Sequence, residues 1–119
     1  RASGKRFRWS GRHATLFVPT DAGYVRIPLR ALQADDMGEP VRVDISVAGH
    51  HVMRIPLTDR SWVEVPLTLT HSDQSRAPQR LDLQVDRTWS PARVQPGSRD
   101  GRTLGVKVGE LAIVRALRE

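Results

Sequence analysis

The sequence predicts an all-β antiparallel sandwich or barrel on three observations. Apolar and polar residues alternate along most of the chain, the alternating runs are short, and Asp- or Gly-bearing turns separate them with no convincing helix between. Alternation puts successive side chains on opposite faces of an extended chain, so one face can be buried while the other stays in water. Many such runs joined by tight turns stack into two layers rather than into a parallel βαβ sheet.

The elements follow in order. "ATLFVP" (14–19) and "YVRIPL" (24–29) read as strands joined by the turn "TDAG" (20–23). "PLRALQADDMGEP" (28–40) holds at most one helical turn and crosses from one sheet to the other. In "VRVDISV" (41–47), Val41, Val43, Ile45 and Val47 share one face while Arg42, Asp44 and Ser46 share the other. The turns "AGHH" (48–51) and "TDRS" (58–61) bracket the strand "HVMRI" (51–55), and "WVEVPLTL" (62–69) follows. "RLDLQV" (80–85) and "LGVKV" (104–108) repeat the pattern, with the turn "RDG" (99–101) before the latter. "ELAIVRAL" (110–117) fits neither period cleanly; with "LGVKV" it reads as a strand, a turn or bulge at Gly109, and a continuation. About eight strands result.

Three rhyming stretches, "VRIPL" (25–29), "MRIPL" (53–57) and "VEVPL" (63–67), place prolines inside strand patterns. Proline donates no ladder hydrogen bond, so it belongs at an edge, a strand end or a bulge. Pro28, Pro56 and Pro66 are expected opposite to or just beyond the apolar set of each strand. Pro28 and Pro56 then end strands, and Pro66 marks a bulge or an edge. Such prolines blunt edges against aggregation.

A chain of 119 residues is long enough for one domain with its own core. It opens on "RASGKRFRW" without methionine, and the expectation is a domain, residues 1–119, excised from a longer protein. No apolar run nears the roughly 20 residues of a membrane span, so this segment is not expected to insert in a membrane. No cysteine is present, which removes disulfides and thiolate chemistry. The net charge is +6, carried by 17 arginines and two lysines against 13 acidic residues. The basic residues are spread along the chain and interleaved with acids, which describes a solvated surface better than an anion-binding stripe.

Residues 41–69 resemble the central meander of galactose-binding-like jelly rolls: a strand, a Gly turn, a short strand, a polar turn, then a Trp-opened strand ending in an apolar-Pro-Leu stretch. "FRWSGRHATLFVP" (7–19) and residues 81–113, with a "TWSP" element and "DGRTLGV", are similar to β-sandwich domains appended to bacterial membrane glycosyltransferases and other surface-polysaccharide enzymes. The resemblance implies a jelly-roll sandwich that is a non-catalytic, extracytoplasmic accessory domain, carbohydrate-binding-like. Its partner would be a glycan, a domain of the parent enzyme, or a second copy of the chain. No cofactor is implied.

Chemical motifs give no competing activity. His50 and His51 are adjacent, so in a strand their rings diverge, and no HxH or HxxxH spacing exists with His13 or His71. Asp35–Asp36 are loop neighbours, and Asp82 and Asp86 share a polar strand face without a sign of a raised pKa. There is no G-x-S-x-G elbow and no phosphate-cradling loop, so the chain is not expected to be an enzyme.

Aromatic and planar polar residues are the more informative set. Sugar recognition uses flat apolar rings against pyranose C–H patches and planar groups for hydroxyls. If the resemblance holds, the first and last strands lie near each other and Arg8, Trp9, Trp89, Asp100 and Arg102 gather at one rim as a sugar site. The alternative stays open: Trp9 and Trp89 cap the core, and Asp100 with Arg102 ties down a loop. Trp62, opening an alternating strand, reads as a core or sheet-packing residue. A nucleic-acid-binding barrel is the rival function, disfavoured by the alternating signs of Arg42, Asp44, Arg54 and Glu64. A structural or oligomerisation role is the third.

Overall fold

In the computed structural model, residues 6–19, 21–34, 39–69 and 78–115 are described. Nine strands lie among them: β1 (Phe7–Trp9), β2 (His13–Val18), β3 (Ala22–Arg30), β4 (Val41–Val47), β5 (His50–Leu57), β6 (Val63–Thr68), β7 (Gln79–Val85), β8 (Lys107–Gly109) and β9 (Ala112–Arg115). One four-residue helix, α1 (Pro91–Val94), precedes β8. It starts at Pro91 after Ser90, where a missing N–H costs nothing.

Two antiparallel sheets form. Sheet A runs β1-β8-β3-β6, with β9 also on β3, and sheet B runs β2-β7-β4-β5. The pairs β1·β8, β2·β7, β3·β6 and β4·β5 are the rungs of one long antiparallel ribbon rolled over itself. That is the path of an eight-stranded jelly roll, and β9 extends it by one strand. The crossing expected over 28–40 takes the chain from β3 in sheet A to β4 in sheet B. Asp35 and Asp36 within it, and His71, lie outside the described residues.

Alternation builds the core. Val41, Val43 and Ile45 of β4, Leu81, Leu83 and Val85 of β7, and Val25, Ile27 and Leu29 of β3 are all fully buried between the sheets. Each such side chain contributes about 1.5–3 kcal/mol when removed from water. The outer faces receive the intervening residues, and there the two sheets differ. Sheet B carries charges: Asp44 accepts from Arg54 Nε and meets His51 Nε2, both at 2.9 Å. Asp82 accepts from Thr15 Oγ1 at 2.8 Å and Arg80 Nε at 2.9 Å. Sheet A carries rings.

The prolines divide. Pro56 is on β5 and Pro66 on β6, the edge strands of the two sheets, and both are exposed. Pro28 does not end its strand: β3 runs on to Arg30 through the middle of sheet A, and Pro28 is buried. It is tolerated because the neighbouring ladder is broken there. On that side Leu29 faces Val108 and Arg26 faces Ala112, so four steps along the β8–β9 segment oppose three along β3. Ile27 and Pro28 have no register partner across this bulge, so no ladder bond is demanded of Pro28 there. The irregularity expected at Gly109 is this bulge. A Cβ added at Gly109 would lie 2.8 Å from Pro28 Cβ, so the glycine makes room for the proline ring.

Ala48 (φ 50°) and Gly49 (φ 85°) form the two-residue link between β4 and β5. Positive φ at both positions is the backbone of a type I′ hairpin, whose twist matches that of the strands.

Candidate functional site

The site is built on the outer face of sheet A. Residues opposite one another in an antiparallel pair share a face, and Leu29, which is buried inward, opposes Val108. The next positions therefore point outward: Arg30 opposes Lys107, and Lys107 opposes Trp9 on its other side. Phe7, two residues before Trp9, opposes Gly109 and shares that face.

Rings meet there in a chain of contacts. Trp9 and Trp89 lie edge to face with centroids 5.6 Å apart, and Phe7 meets Trp9 edge to face at 6.3 Å. Phe7 also meets Trp62 at 6.4 Å. All three tryptophans of the chain thus belong to one outer-face platform. The ammonium of Lys107 sits over it, 4.2 Å from the Phe7 centroid and 5.4 Å from that of Trp9. Burial, then the nearby Arg30, pulls the Lys107 amine below the ordinary lysine range.

Trp89 is held from behind by paired backbone bonds: its N–H donates to Leu104 O at 2.9 Å, and the Leu104 N–H donates to Trp89 O at 2.7 Å. Its indole Nε1 is shielded from water and has no acceptor among the described residues. Trp89 therefore offers a ligand its ring rather than its donor.

Trp9 and Trp89, two of the five residues expected at a rim, are in contact. Asp100 and Arg102 lie in the loop that the Trp89–Leu104 pair closes, and they bind each other. Arg102 Nη2 donates to Asp100 Oδ2 at 2.6 Å and Arg102 Nε to Asp100 Oδ1 at 2.9 Å. The guanidinium, helped by the Arg102 N–H, holds the Asp100 carboxyl down at about 2. The same loop is tied by the Ala92 N–H to Asp100 O at 2.8 Å. No hydrogen bond or ring contact joins this pair to Trp9 or Trp89 among the described residues.

Arg8 lies elsewhere. It opposes the inward Val108, so it sits on the other face of β1 from Trp9. There it lines a groove of about 510 Å³ with Thr15, Phe17 and Leu111, between the margins of the two sheets. Phe7 lines this groove and also touches the platform, forming the lip between them.

Phe7, Trp62 and Lys107 belong to the platform although sequence reasoning did not select them for it. Of the two readings of Trp62, core or sheet packing, the second holds: just before β6, it lies half-buried against Phe7 and Gly109, while the inward residues of β6 are Val63, Val65 and Leu67. Parity was the available signal, because Trp62 is in step with Glu64 and Pro66, the outward set. Lys107 could be placed only through the pairing of β8 with β1, which no local pattern gives.

No protein-family model matches the chain, and no curated protein or solved structure matches it significantly.

Proposed function

We propose that the chain is a non-catalytic, carbohydrate-binding accessory module that holds a glycan against the outer-face rings of sheet A. The supporting observation is the joined set Trp62–Phe7–Trp9–Trp89, with Phe7 and Trp9 on β1, Trp62 just before β6 and Trp89 bridged to Leu104, away from the core that tryptophans would otherwise serve. Pyranose rings present C–H faces that stack on such surfaces, and a sheet holds the rings at low entropic cost. Among the described residues, the carboxylates whose pKa is displaced are all displaced downward, which does not suit acid–base work. Asp100 is held down by Arg102, Asp44 by Arg54 and Asp82 by Thr15, so each is an ionised acceptor near neutral pH. The resemblance to domains of surface-polysaccharide glycosyltransferases supplies the context: an extracytoplasmic module that positions a glycan for its parent enzyme.

A glycan panel read by tryptophan fluorescence tests the reading. Saturable binding is expected, and Trp9→Ala and Trp89→Ala are each expected to weaken it by about tenfold, the loss of one stacked ring. Absence of binding, or binding that survives both changes, contradicts it. The nucleic-acid alternative is separated by salt with neutral glycans as the probe: a phosphate binder loses affinity steeply between low and moderate salt, whereas a neutral sugar stacked on Trp is nearly indifferent.

Docking onto a parent domain or a second copy is the second reading, favoured by β9. Its Ile113 and Val114 are 39% and 53% exposed, and β9 pairs with β3 alone among the described strands.

A further inference from the structure

We infer that the glycan taken by this platform is acidic, with a carboxylate or sulfate lying across Arg30 and Lys107. The inference rests on the glycan reading above and names the ligand class of the same site.

Arg30 and Lys107 are register partners on the outer face of sheet A, so two positive charges oppose each other across a strand pair. Like charges in that position repel and weaken the pair. Several cations on the strands and loops are offset by acids: Arg54 by Asp44, Arg80 by Asp82, Arg102 by Asp100 and Arg115 by Asp21. Arg30 and Lys107 have no carboxylate within ion-pair distance among the described residues. The Arg30 Nε–H is spent on the carbonyl of Arg60, which fixes the side chain and leaves its Nη groups without a hydrogen bond among those residues. Lys107 is fixed over Phe7 and Trp9. Both cations are thus positioned by neutral partners, beside rings suited to a sugar face.

An anion at this point relieves the repulsion and gains charge-assisted hydrogen bonds. A neutral sugar leaves the repulsion in place. Because a carboxylate replaces a hydroxymethyl group on a hexuronate ring, one pyranose can stack and pair at once. Sulfate esters present the same charge from a longer arm.

The test uses the whole chain and needs no variant for its main comparison. Galacturonate oligosaccharides, their fully methyl-esterified forms, sulfated galactan oligosaccharides free of uronate and neutral mannan oligosaccharides are titrated at low and moderate salt. Inorganic sulfate serves as the free-anion control. The acid forms are expected to bind roughly tenfold more tightly than the esters at low salt, the scale of one charge-assisted contact. Lys107→Met and Arg30→Gln are each expected to remove most of that preference. Arg54→Gln on sheet B is expected to leave it intact. Preference for galacturonate over the uronate-free sulfated galactan assigns a carboxylate, and the reverse assigns a sulfate.

Equal affinity for acid and ester would overturn this inference while leaving the glycan reading standing. Inorganic sulfate competing as well as the acid oligosaccharides would also overturn it, since the cation pair would then take any anion. No binding of any oligosaccharide would end both.

Discussion

Gly105 lies against Ser10 and Gly11 so closely that a Cβ on it would fall 2.1 Å from Gly11 O and 2.4 Å from Ser10 Oγ. The two segments are bonded throughout: the Gly105 N–H donates to Ser10 O at 2.7 Å and the Ser10 N–H to Val106 O at 2.9 Å. The buried Ser10 Oγ accepts the Val106 N–H at 2.9 Å and donates to Gly11 O at 2.9 Å. This junction fastens the segment after Trp9 to the segment after Leu104, and so holds Trp9 beside Trp89.

Gly105→Ala is therefore expected to destabilise the fold by about 3 kcal/mol, because backbone rather than a movable side chain blocks the methyl group. Ser10→Ala strands a buried N–H and is expected to cost about 1–3 kcal/mol. Urea unfolding gives both values. A Gly105→Ala midpoint equal to that of the parent would contradict the junction.

Ala48 points to a gain. A non-glycine residue at φ 50° is held in the left-handed region, which costs an alanine roughly 1–2 kcal/mol. Ala48→Asn creates the Asn-Gly pair preferred in type I′ turns. It is expected to raise the thermal midpoint by a few degrees, about 0.5–1 kcal/mol of stability. A lower midpoint would mean that the β4–β5 turn is of another type.

Much of the fold was legible, and the reasons are local. β4 spans the stretch that alternation marked, since Val41, Val43 and Ile45 bury on one face and a Gly turn ends the run. β1 was not legible as a strand: three residues with the burial of an exposed edge carry no pattern of their own. α1, one turn long, is likewise below the reach of periodicity. Pro28 shows a different limit. Its tolerance depends on a bulge in another strand, and "VRIPL" cannot disclose that. In the site, Trp9 and Trp89 were recognisable by type, while their contact depends on the β1·β8 pairing and the Trp89–Leu104 bridge.

Edge prolines give a prediction about association. Pro66→Thr supplies an N–H on the exposed edge strand β6 with little change in packing. The expected outcome is unchanged stability with increased self-association, measured by sedimentation at rising concentration. A variant that stays as monodisperse as the parent would remove the protective role of this proline.

Acid behaviour follows from the carboxylates. Asp100, depressed to about 2 by Arg102, binds protons more weakly folded than unfolded, where the ordinary aspartate value is 3.8. Its stabilisation is fully present above that value and is lost as the pH falls from near 4 towards 2. Asp44, lowered chiefly by Arg54, and Asp82, lowered chiefly by Thr15, act in the same direction. Stability is expected to fall over this window, and Asp100→Asn is expected to make the slope shallower. An unchanged slope in that variant would remove the pair from the acid response.

Mapping by nuclear magnetic resonance reaches the central claim most directly. In a titration with oligosaccharides, the indole signals of Trp9 and Trp89 and the amides of β1 and β8 should shift saturably, while those of β4 and β5 on sheet B stay in place. Shifts confined to the β9 edge around Ile113 and Val114, or no saturable shift at either tryptophan, would contradict a ligand platform on sheet A.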